Sequence, residues 1–177
     1  MMNHFALFDL PVSPNLDLDE LQSRYRRLQQ ALHPDRFANA GERDKLLAMQ
    51  KTSQLNDAYQ TLKQPLSRAE YLLQLQGVDL QHEQQTIKDT EFLMAQMEWR
   101  ERLETLSSAD DPWQAISAAH NDLKQETQAL QQAVDSALED TSQADLEAVA
   151  EDIRKLKFLH KLAREIDAIE EQLLDDV

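Results

Sequence analysis

The chain contains no cysteine and little glycine or proline: its 177 residues include 2 Gly and 5 Pro. The absence of cysteine excludes a disulfide scaffold, a thiol nucleophile and thiolate metal sites. So few turn residues disfavour a β-sandwich of this size. No apolar run approaches the roughly 18 residues of a membrane-spanning helix. The first residues carry Asp9 and no basic stretch, which fits neither a secretory signal nor a transit peptide. These features predict a soluble, cytoplasmic protein that is not bound to a membrane.

The residues that are abundant, Leu, Ala, Gln and Glu, lose little rotamer freedom in helices, so the composition predicts an all-α protein.

The formal net charge of -15 is distributed unevenly. Residues 1–76 hold 9 basic and 9 acidic side chains, whereas residues 77–177 hold 9 basic and 24 acidic ones. This asymmetry predicts two parts with different partners and disfavours nucleic acid as a ligand. A second interpretation is that the acidic charge only aids solubility.

The N-terminal part, residues 1–76, is predicted to be a helical hairpin with short flanking helices. Phe5 and Phe8 are candidate core anchors in the first short segment. Asp17, three residues before Glu20, predicts the start of a helix that ends before Pro34. Further helices are predicted over residues 42–62 and 66–76, and the two longer ones should pack antiparallel. The apolar stripe of the helix that begins after Asp17 comprises Leu18, Leu21, Tyr25, Leu28 and Leu32.

The C-terminal part, residues 89–177, is predicted to be an antiparallel three-helix bundle that follows a linker over residues 77–88. Its helices should begin near Asp89 or Thr90, at Asp111 with Pro112 in the first position, and near Ser142. The first should end near Leu106 and the third near residue 174. The predicted apolar face of the second helix comprises Trp113, Ile116, His120, Leu123, Thr127, Leu130, Val134 and Leu138.

The tripeptide His33-Pro34-Asp35 is the sharpest local motif, and it lies in the predicted hairpin loop. Pro34 stiffens the loop and Asp35 presents a carboxylate, which suits a rigid docking epitope. The preceding helix has Arg26 and Arg27 on its outer face. An enzyme that uses His33 and Asp35 as an acid–base pair is an alternative hypothesis. Neither a nucleophile nor a substrate-orienting shell is apparent beside the motif.

A second candidate surface lies on the first bundle helix, whose core stripe is predicted to be Phe92, Ala95, Trp99, Leu103 and Leu106. On the opposite side lie Leu93, Met94 and Met97, among the glutamates Glu98, Glu101 and Glu104. On the third helix, Phe158 is predicted to point away from the core, among lysines. An exposed apolar group rimmed by charge is typical of a binding patch, and methionine adapts to a partner. The alternative is that a neighbouring helix covers these side chains as ordinary core.

Other functional classes receive little support from the sequence. His120 is predicted to be a hydrogen-bonded core or boundary residue, whereas His4 and His160 are predicted to lie at the surface. No H-E-x-x-H pattern occurs, so no metal site is predicted. Gly41 and Gly77 are the only glycines, which excludes a P-loop, and no cofactor is predicted. A structural coiled coil is a further alternative, but the apolar stripe of the third helix drifts from a heptad.

The helix order around His33-Pro34-Asp35 resembles a J-domain, and segments 65–73, 86–94 and 154–159 resemble the HscB family of J-type co-chaperones in iron–sulfur cluster biogenesis. The resemblance implies an L-shaped protein. Its J-domain would dock on a DnaK-type ATPase chaperone, HscA, and its bundle would bind the cluster scaffold protein, IscU. The lack of cysteine and of a leader resembles the bacterial form.

The resemblance implies a co-chaperone that is not an enzyme, because ATP hydrolysis would occur on the partner. The alternative within this class is a general J-domain co-chaperone with a different client. The chain is expected to be a monomer or a weak dimer. The residues expected to bind the chaperone are His33, Pro34, Asp35, Arg26, Arg27 and Arg36. The residues expected to bind the scaffold are Leu93, Met94, Met97, Glu98, Glu101 and Phe158.

Overall fold

A computed structural model of the chain describes residues 2–80 and 89–177. They fall into two compact units, Met1–Gly77 and Val78–Val177. The fold is 77% helical, without a strand in the described ranges, which confirms the all-α prediction. Residues 81–88 of the predicted linker lie outside the described residues, whereas Leu80, which precedes them, is buried.

The first unit contains four α-helices and one 3-10 turn, and local signals in the sequence account for most of their ends. Asp17 caps the second helix by accepting hydrogen bonds from the backbone N–H groups of Asp19 and Glu20. Pro65 occupies the first turn of the fourth, and Gly77 follows it with a φ of 93°, a conformation that favours glycine. The elements are α1 (His4–Leu7), α2 (Leu18–Ala31), the 3-10 turn (Pro34–Phe37), α3 (Glu42–Lys63) and α4 (Pro65–Leu75).

Helices α2 and α3 form the hairpin, and an aromatic pair joins them. The rings of Tyr25 and Tyr59 stack with centroids 3.9 Å apart. The Tyr25 hydroxyl donates to Asn56 Oδ1 at 2.6 Å and accepts from Gln29 Nε2 at 2.8 Å. Because both the ring and the hydroxyl of Tyr25 are engaged, the hairpin is fixed by a polar contact as well as by apolar packing.

The core of the first unit confirms the predicted anchors Phe5 and Phe8, both of which are fully buried. Arg68 is buried as well, and its guanidinium donates to the carbonyl oxygens of Pro14 and Leu62. The predicted stripe of α2 was wrong at Leu18, which is 48% exposed. Leu18 is the first residue of α2. The apolar stripe therefore extends to the end of the helix, where the neighbouring helices no longer cover it.

The second unit is a bundle of three long helices, as predicted. Asp89, Asp111 and Asp145 cap them through their side chains. The start predicted near Ser142 was wrong, because the third helix begins at Leu146 and Asp145 is its cap. The three helices are α5 (Thr90–Thr105), α6 (Pro112–Glu139) and α7 (Leu146–Asp175).

Side-chain pairs define the relative direction of α5 and α6 and join α5 to α7. Trp99 and Arg102 of α5 bond to Glu126 and Asp122 of α6, so the later residue of α5 meets the earlier residue of α6 and the two helices run antiparallel. Arg100 of α5 pairs with Glu165 of α7. The central core contains Trp99, Leu103, Leu106, Ile116, Ala119, Leu123, Leu159, Leu162 and Ile166.

Two predicted orientations in the bundle were wrong. Trp113, predicted on the apolar face of α6, is 41% exposed. Trp113 lies in the first turn of α6, where the neighbouring helices do not cover the apolar face. Phe158, predicted to point away from the core, is half-buried and packs against the central core cluster. The physical reason is that α7 contacts both α5 and α6, so it buries two stripes rather than one.

Candidate functional site

The 3-10 turn that follows α2 gives each residue of His33-Pro34-Asp35 a separate structural role. His33 is the cap of the turn, and its Nδ1 accepts a hydrogen bond from the backbone N–H of Asp35 at 3.2 Å. Pro34 occupies the first turn of the 3-10 helix, where its fixed φ is favourable. The Asp35 side chain is 93% exposed, with its carboxylate 3.5 Å from His33 Nδ1. The turn therefore presents an imidazole and a carboxylate to solvent on a rigid backbone.

Basic side chains and an apolar cleft adjoin this turn. Arg26 and Arg27 on α2 and Arg36 in the turn are all exposed. A cleft of about 1020 Å³ lies between α2, the turn and α3, and its lining is mainly apolar. Its lining residues include Arg26, His33, Pro34, Phe37, Lys45 and Met49. The motif, the basic face and the cleft therefore form one continuous surface of the first unit.

Sequence reasoning missed the exposed apolar side chains of α3, one of which lies beside this surface. Leu46, Leu47 and Met49 are 55%, 43% and 69% exposed, and Met49 lines the cleft. A signal was available, because Leu46 and Met49 lie off the buried stripe of α3, which contains Ala48 and Leu55. The same off-stripe criterion singled out the apolar residues of α5.

On α5, three apolar side chains are exposed on the face opposite the core. Leu93, Met94 and Met97 are 38%, 59% and 66% exposed. Glu98 and Glu101 are also exposed and follow Met94 and Met97 by one helical turn. The helix therefore carries an apolar group with an acidic border, which has the form of a binding patch.

The position of Phe158 differs from the sequence prediction, because the side chain packs against α5 instead of pointing away from the core. Its ring meets Phe92 edge-on, with centroids 5.7 Å apart and an interplanar angle of 84°. The Arg100 guanidinium lies 5.5 Å from the centroid of the Phe158 ring. Phe158 is thus part of the support beneath α5, and the fraction of its surface that stays accessible is smaller than the sequence predicted.

The first turn of α5 is anchored to α7 by Asp89 and Lys155. Lys155 Nζ lies 2.7 Å from Asp89 Oδ2 and 5.5 Å from the centroid of the Phe92 ring. The Asp89 backbone N–H donates to Glu151 Oε1 at 3.2 Å, and Asp89 Oδ1 accepts from the Phe92 backbone N–H. The start of the helix that carries Leu93 is therefore held from two sides.

This anchor changes the acidity of the groups that form it. The hydrogen bond from Lys155 lowers the pKa of Asp89 below its ordinary 3.8, and the backbone N–H of Phe92 adds to this effect. Burial alone lowers the pKa of Lys155. The hydrogen bond and charge of Asp89, together with the charges of Asp152 and Glu151, outweigh burial and raise this pKa. Burial raises the pKa of Asp152, whose carboxylate lies 3.7 Å from Lys155, although Lys155 opposes this rise.

We expect Asp89→Asn to lower the thermal stability of the second unit because asparagine keeps the helix cap but loses the ion pair with Lys155. A carboxylate with a depressed folded pKa contributes stability that is fully present above its unfolded pKa and disappears as the pH falls through the folded value. The difference between variant and parent should therefore be constant from neutral pH down to about pH 5, shrink as the pH falls below 3.8, and vanish only below the lower pKa of Asp89 in the folded protein. Tryptophan fluorescence during heating measures it, since both tryptophans lie in this unit.

The matched control is Asp145→Asn, which makes the same change at the cap of α7. Asp145 accepts from the backbone N–H groups of Glu147 and Ala148. If Asp145→Asn lowers the melting temperature as much as Asp89→Asn does, with the same pH dependence, the anchoring role of the Lys155 pair is wrong.

The histidines predicted at the surface are partly enclosed. His4 stacks on Tyr71 with centroids 4.3 Å apart, and burial lowers the pKa of His4 despite the attraction of Asp57. Burial also lowers the pKa of His160, and the nearby Arg164 lowers it further. Both therefore lie at the boundary between the core and the surface. None of the described helices combines the length and the apolar character that a membrane span requires.

Comparisons with known protein families agree with the two-unit architecture. The DnaJ domain family matches residues 9–71. The family described as the HSCB C-terminal oligomerisation domain matches residues 88–167. The His33-Pro34-Asp35 turn on a helical hairpin and the match to the DnaJ domain together define the class, a J-domain co-chaperone.

The particular family follows from relatives that match nearly the whole chain. The chain is 50% identical over 175 residues to the co-chaperone protein HscB homolog of Photobacterium profundum, covering 98% of this chain and 100% of that one. It is 49% identical over 172 residues to the homolog of Shewanella loihica, with coverages of 97% and 99%. The chain belongs to the HscB family of co-chaperones, which confirms the resemblance seen in the sequence.

Solved structures of the family have the same fold. The chaperone HscB from Vibrio cholerae superposes with a TM-score of 0.86 at 45% identity, covering 97% of this chain and 99% of that one. The human co-chaperone protein HscB superposes with a TM-score of 0.80 at 30% identity, with coverages of 95% and 82%.

Proposed function

We propose that this chain stimulates the ATPase of a DnaK-type chaperone of the HscA kind and delivers to it an IscU-type iron–sulfur scaffold protein. The observation that carries the proposal is the capped His33-Pro34-Asp35 turn beside a basic helix face, in a chain of the HscB family. The protein itself catalyses nothing in this proposal, and ATP hydrolysis takes place on the chaperone in the cytoplasm.

The chaperone-docking surface is proposed to comprise His33, Pro34, Asp35, Arg26, Arg27 and Arg36. The exposed arginines favour an acidic surface on the chaperone, and the adjoining cleft accepts an apolar segment beside it. His33 Nδ1 is occupied as the acceptor of the Asp35 backbone N–H, so Nε2 is the ring atom left for the chaperone. Pro34 keeps His33 and Asp35 in fixed relative positions, which reduces the ordering cost of docking.

The scaffold-binding surface is proposed to comprise Leu93, Met94, Met97, Glu98, Glu101 and Phe158. Burying three exposed apolar side chains contributes roughly 1.5–3 kcal/mol each. Association costs at least about 4 kcal/mol. The remainder corresponds to a weak complex that approaches micromolar affinity only with help from the glutamates. A protein that hands its client to another protein benefits from such a transient contact.

The two surfaces lie in different units of one chain, so binding of the scaffold by one unit raises its concentration near a chaperone docked on the other. The alternative is a general J-domain co-chaperone with a different client. An acid–base enzyme that uses His33 and Asp35 has less support, because both side chains are largely exposed. The chain is proposed to act as a monomer or weak dimer.

The test is the steady-state ATPase rate of an HscA-type chaperone with this protein, with an IscU-type scaffold, and with both. We expect the joint stimulation to exceed the sum of the two separate ones. If this protein stimulates the ATPase and the scaffold does not change the stimulated rate, the client is a different protein. The absence of any stimulation would contradict the proposal as a whole.

A further inference from the structure

Three possible metal ligands meet on the surface of the bundle, where α6 passes α7. His120 of α6 faces Asp167 and Glu170 of α7, and one ligand atom of each residue lies within 4.8 Å of the other two. His120 Nε2 is 3.3 Å from Glu170 Oε2 and 3.4 Å from Asp167 Oδ1. The cluster lies in the second unit and contains none of the residues assigned to the chaperone or the scaffold.

The distances within the cluster are longer than those of a strong ion pair and close to those between two ligands of one cation, and His120 Nε2 also lies within hydrogen-bonding distance of Glu170 Oε2 at 3.3 Å. A protonated imidazole that bonds to a carboxylate usually approaches it to about 2.7–2.9 Å. Two ligands that lie about 2.0–2.1 Å from a tetrahedral zinc ion are separated by about 3.4 Å. Both distances from His120 Nε2 match this second value.

The backbone positions of two of the three residues are fixed by the core. His120 follows the fully buried Ala119, and Asp167 follows the fully buried Ile166. The His120 side chain is 33% exposed, so its ring is partly enclosed while Nε2 faces the two carboxylates. The Asp167 and Glu170 side chains are 64% and 42% exposed, so the imidazole is the ligand that is held in place before an ion binds.

The charge of the cluster also favours a divalent cation. With neutral imidazole, the two carboxylates give it a charge of about −2. In the part of the chain that the structure describes, Asp167 and Glu170 form salt bridges with His120 and with no lysine or arginine. An imidazole nitrogen with carboxylate oxygens suits zinc and neighbouring first-row transition ions, whereas magnesium and calcium prefer an all-oxygen site.

We propose that His120, Asp167 and Glu170 form a binding site for a divalent transition-metal ion, with zinc as the best fit. Three protein ligands leave the fourth tetrahedral position to water or to a side chain from another molecule. The ion links α6 to α7 and stabilises the bundle, because a ligand that binds the folded state shifts the folding equilibrium toward it. This proposal does not depend on the co-chaperone function.

The test is isothermal titration of the full chain with zinc chloride and, separately, with magnesium chloride. We expect one saturable equivalent of zinc and no magnesium binding. His120→Ala should weaken zinc binding by about tenfold or more, as perturbation of a metal site commonly does. Glu170→Gln keeps the shape of the side chain and should weaken zinc binding as well. Zinc should raise the melting temperature of the parent and have a smaller effect on either variant.

The matched control is His160→Ala, which removes a partly buried histidine from the same unit, and we expect it to bind zinc as the parent does. A second control, His33→Ala, tests another place in the described residues where a histidine lies close to a carboxylate. Zinc binding lost in His33→Ala and retained in His120→Ala would overturn the proposal. So would a parent without saturable zinc binding, or equal binding of magnesium.

Discussion

Replacing His33 by glutamine is expected to return the chaperone ATPase to its unstimulated rate while the chain still binds the scaffold. His33 caps the 3-10 turn and, together with the 93% exposed Asp35, forms the polar tip of the docking surface. Glutamine lacks the rigid ring whose Nδ1 accepts from the Asp35 backbone N–H, so the tip loses both its cap and its outward Nε2. The measurement is the steady-state ATPase rate, with scaffold affinity measured by titration.

A second substitution separates the two roles of His33. Asparagine is among the best helix caps, so His33→Asn can restore the cap without restoring the imidazole. Loss of stimulation in both variants would show that the ring itself contacts the chaperone. Recovery in His33→Asn alone would assign His33 a structural role in positioning Asp35.

The matched control is His160→Gln, which makes the same chemical change in the other unit. We expect it to stimulate the ATPase as the parent does. Stimulation by His33→Gln equal to that of the parent would remove the turn from the proposed docking surface.

Truncating the apolar face of α5 is expected to produce the second large effect. In Leu93→Ala/Met97→Ala, each substitution removes about 1–2 kcal/mol of apolar burial in the complex. The scaffold affinity should therefore fall by roughly 30- to 700-fold, at about 1.4 kcal/mol per factor of ten. Because Leu93 and Met97 are exposed, at 38% and 66%, the free protein should keep its melting temperature. Titration with the scaffold measures the affinity.

The control for this prediction is Trp113→Ala/Leu174→Ala. It truncates two other exposed apolar residues of the same unit, which are 41% and 58% exposed. We expect no change in scaffold affinity for the control and unchanged stimulation of the chaperone in the absence of scaffold for both variants. An equal loss of affinity in the control would show that general apolar contact, rather than the face of α5, binds the scaffold.

The helix boundaries illustrate what local signals can and cannot predict. Asp17, Pro65 and Gly77 each act on the backbone next to them, so the sequence was enough to place the helix ends there. At the start of α7 two good caps compete, and serine and aspartate have similar preferences for the cap position. Ser142 instead bonds to the side chain of Asp140, and Asp145 caps the helix.

The burial of Phe158 illustrates a limit of a different kind. A helical wheel separates one face from the other, but it does not specify how many neighbours a helix has. Helix α7 packs against both α5 and α6, so a residue that lies off one stripe still contacts Phe92 and Arg100. The exposed face of α5 was easier to predict, because Leu93, Met94 and Met97 lie opposite a single core stripe.

The sequence by itself determined the all-α class, most of the helix ends, the solvent-facing motif at His33-Pro34-Asp35 and the family. All of these depend on residues close together in the chain or on the pattern as a whole. Only the tertiary structure decided that Asp89 meets Lys155, 66 residues away, and that His120 meets Glu170, 50 residues away. Helical periodicity fixes which face of a helix is apolar, whereas the pairing and axial offset of the helices come from packing. That packing brings distant side chains within bonding distance.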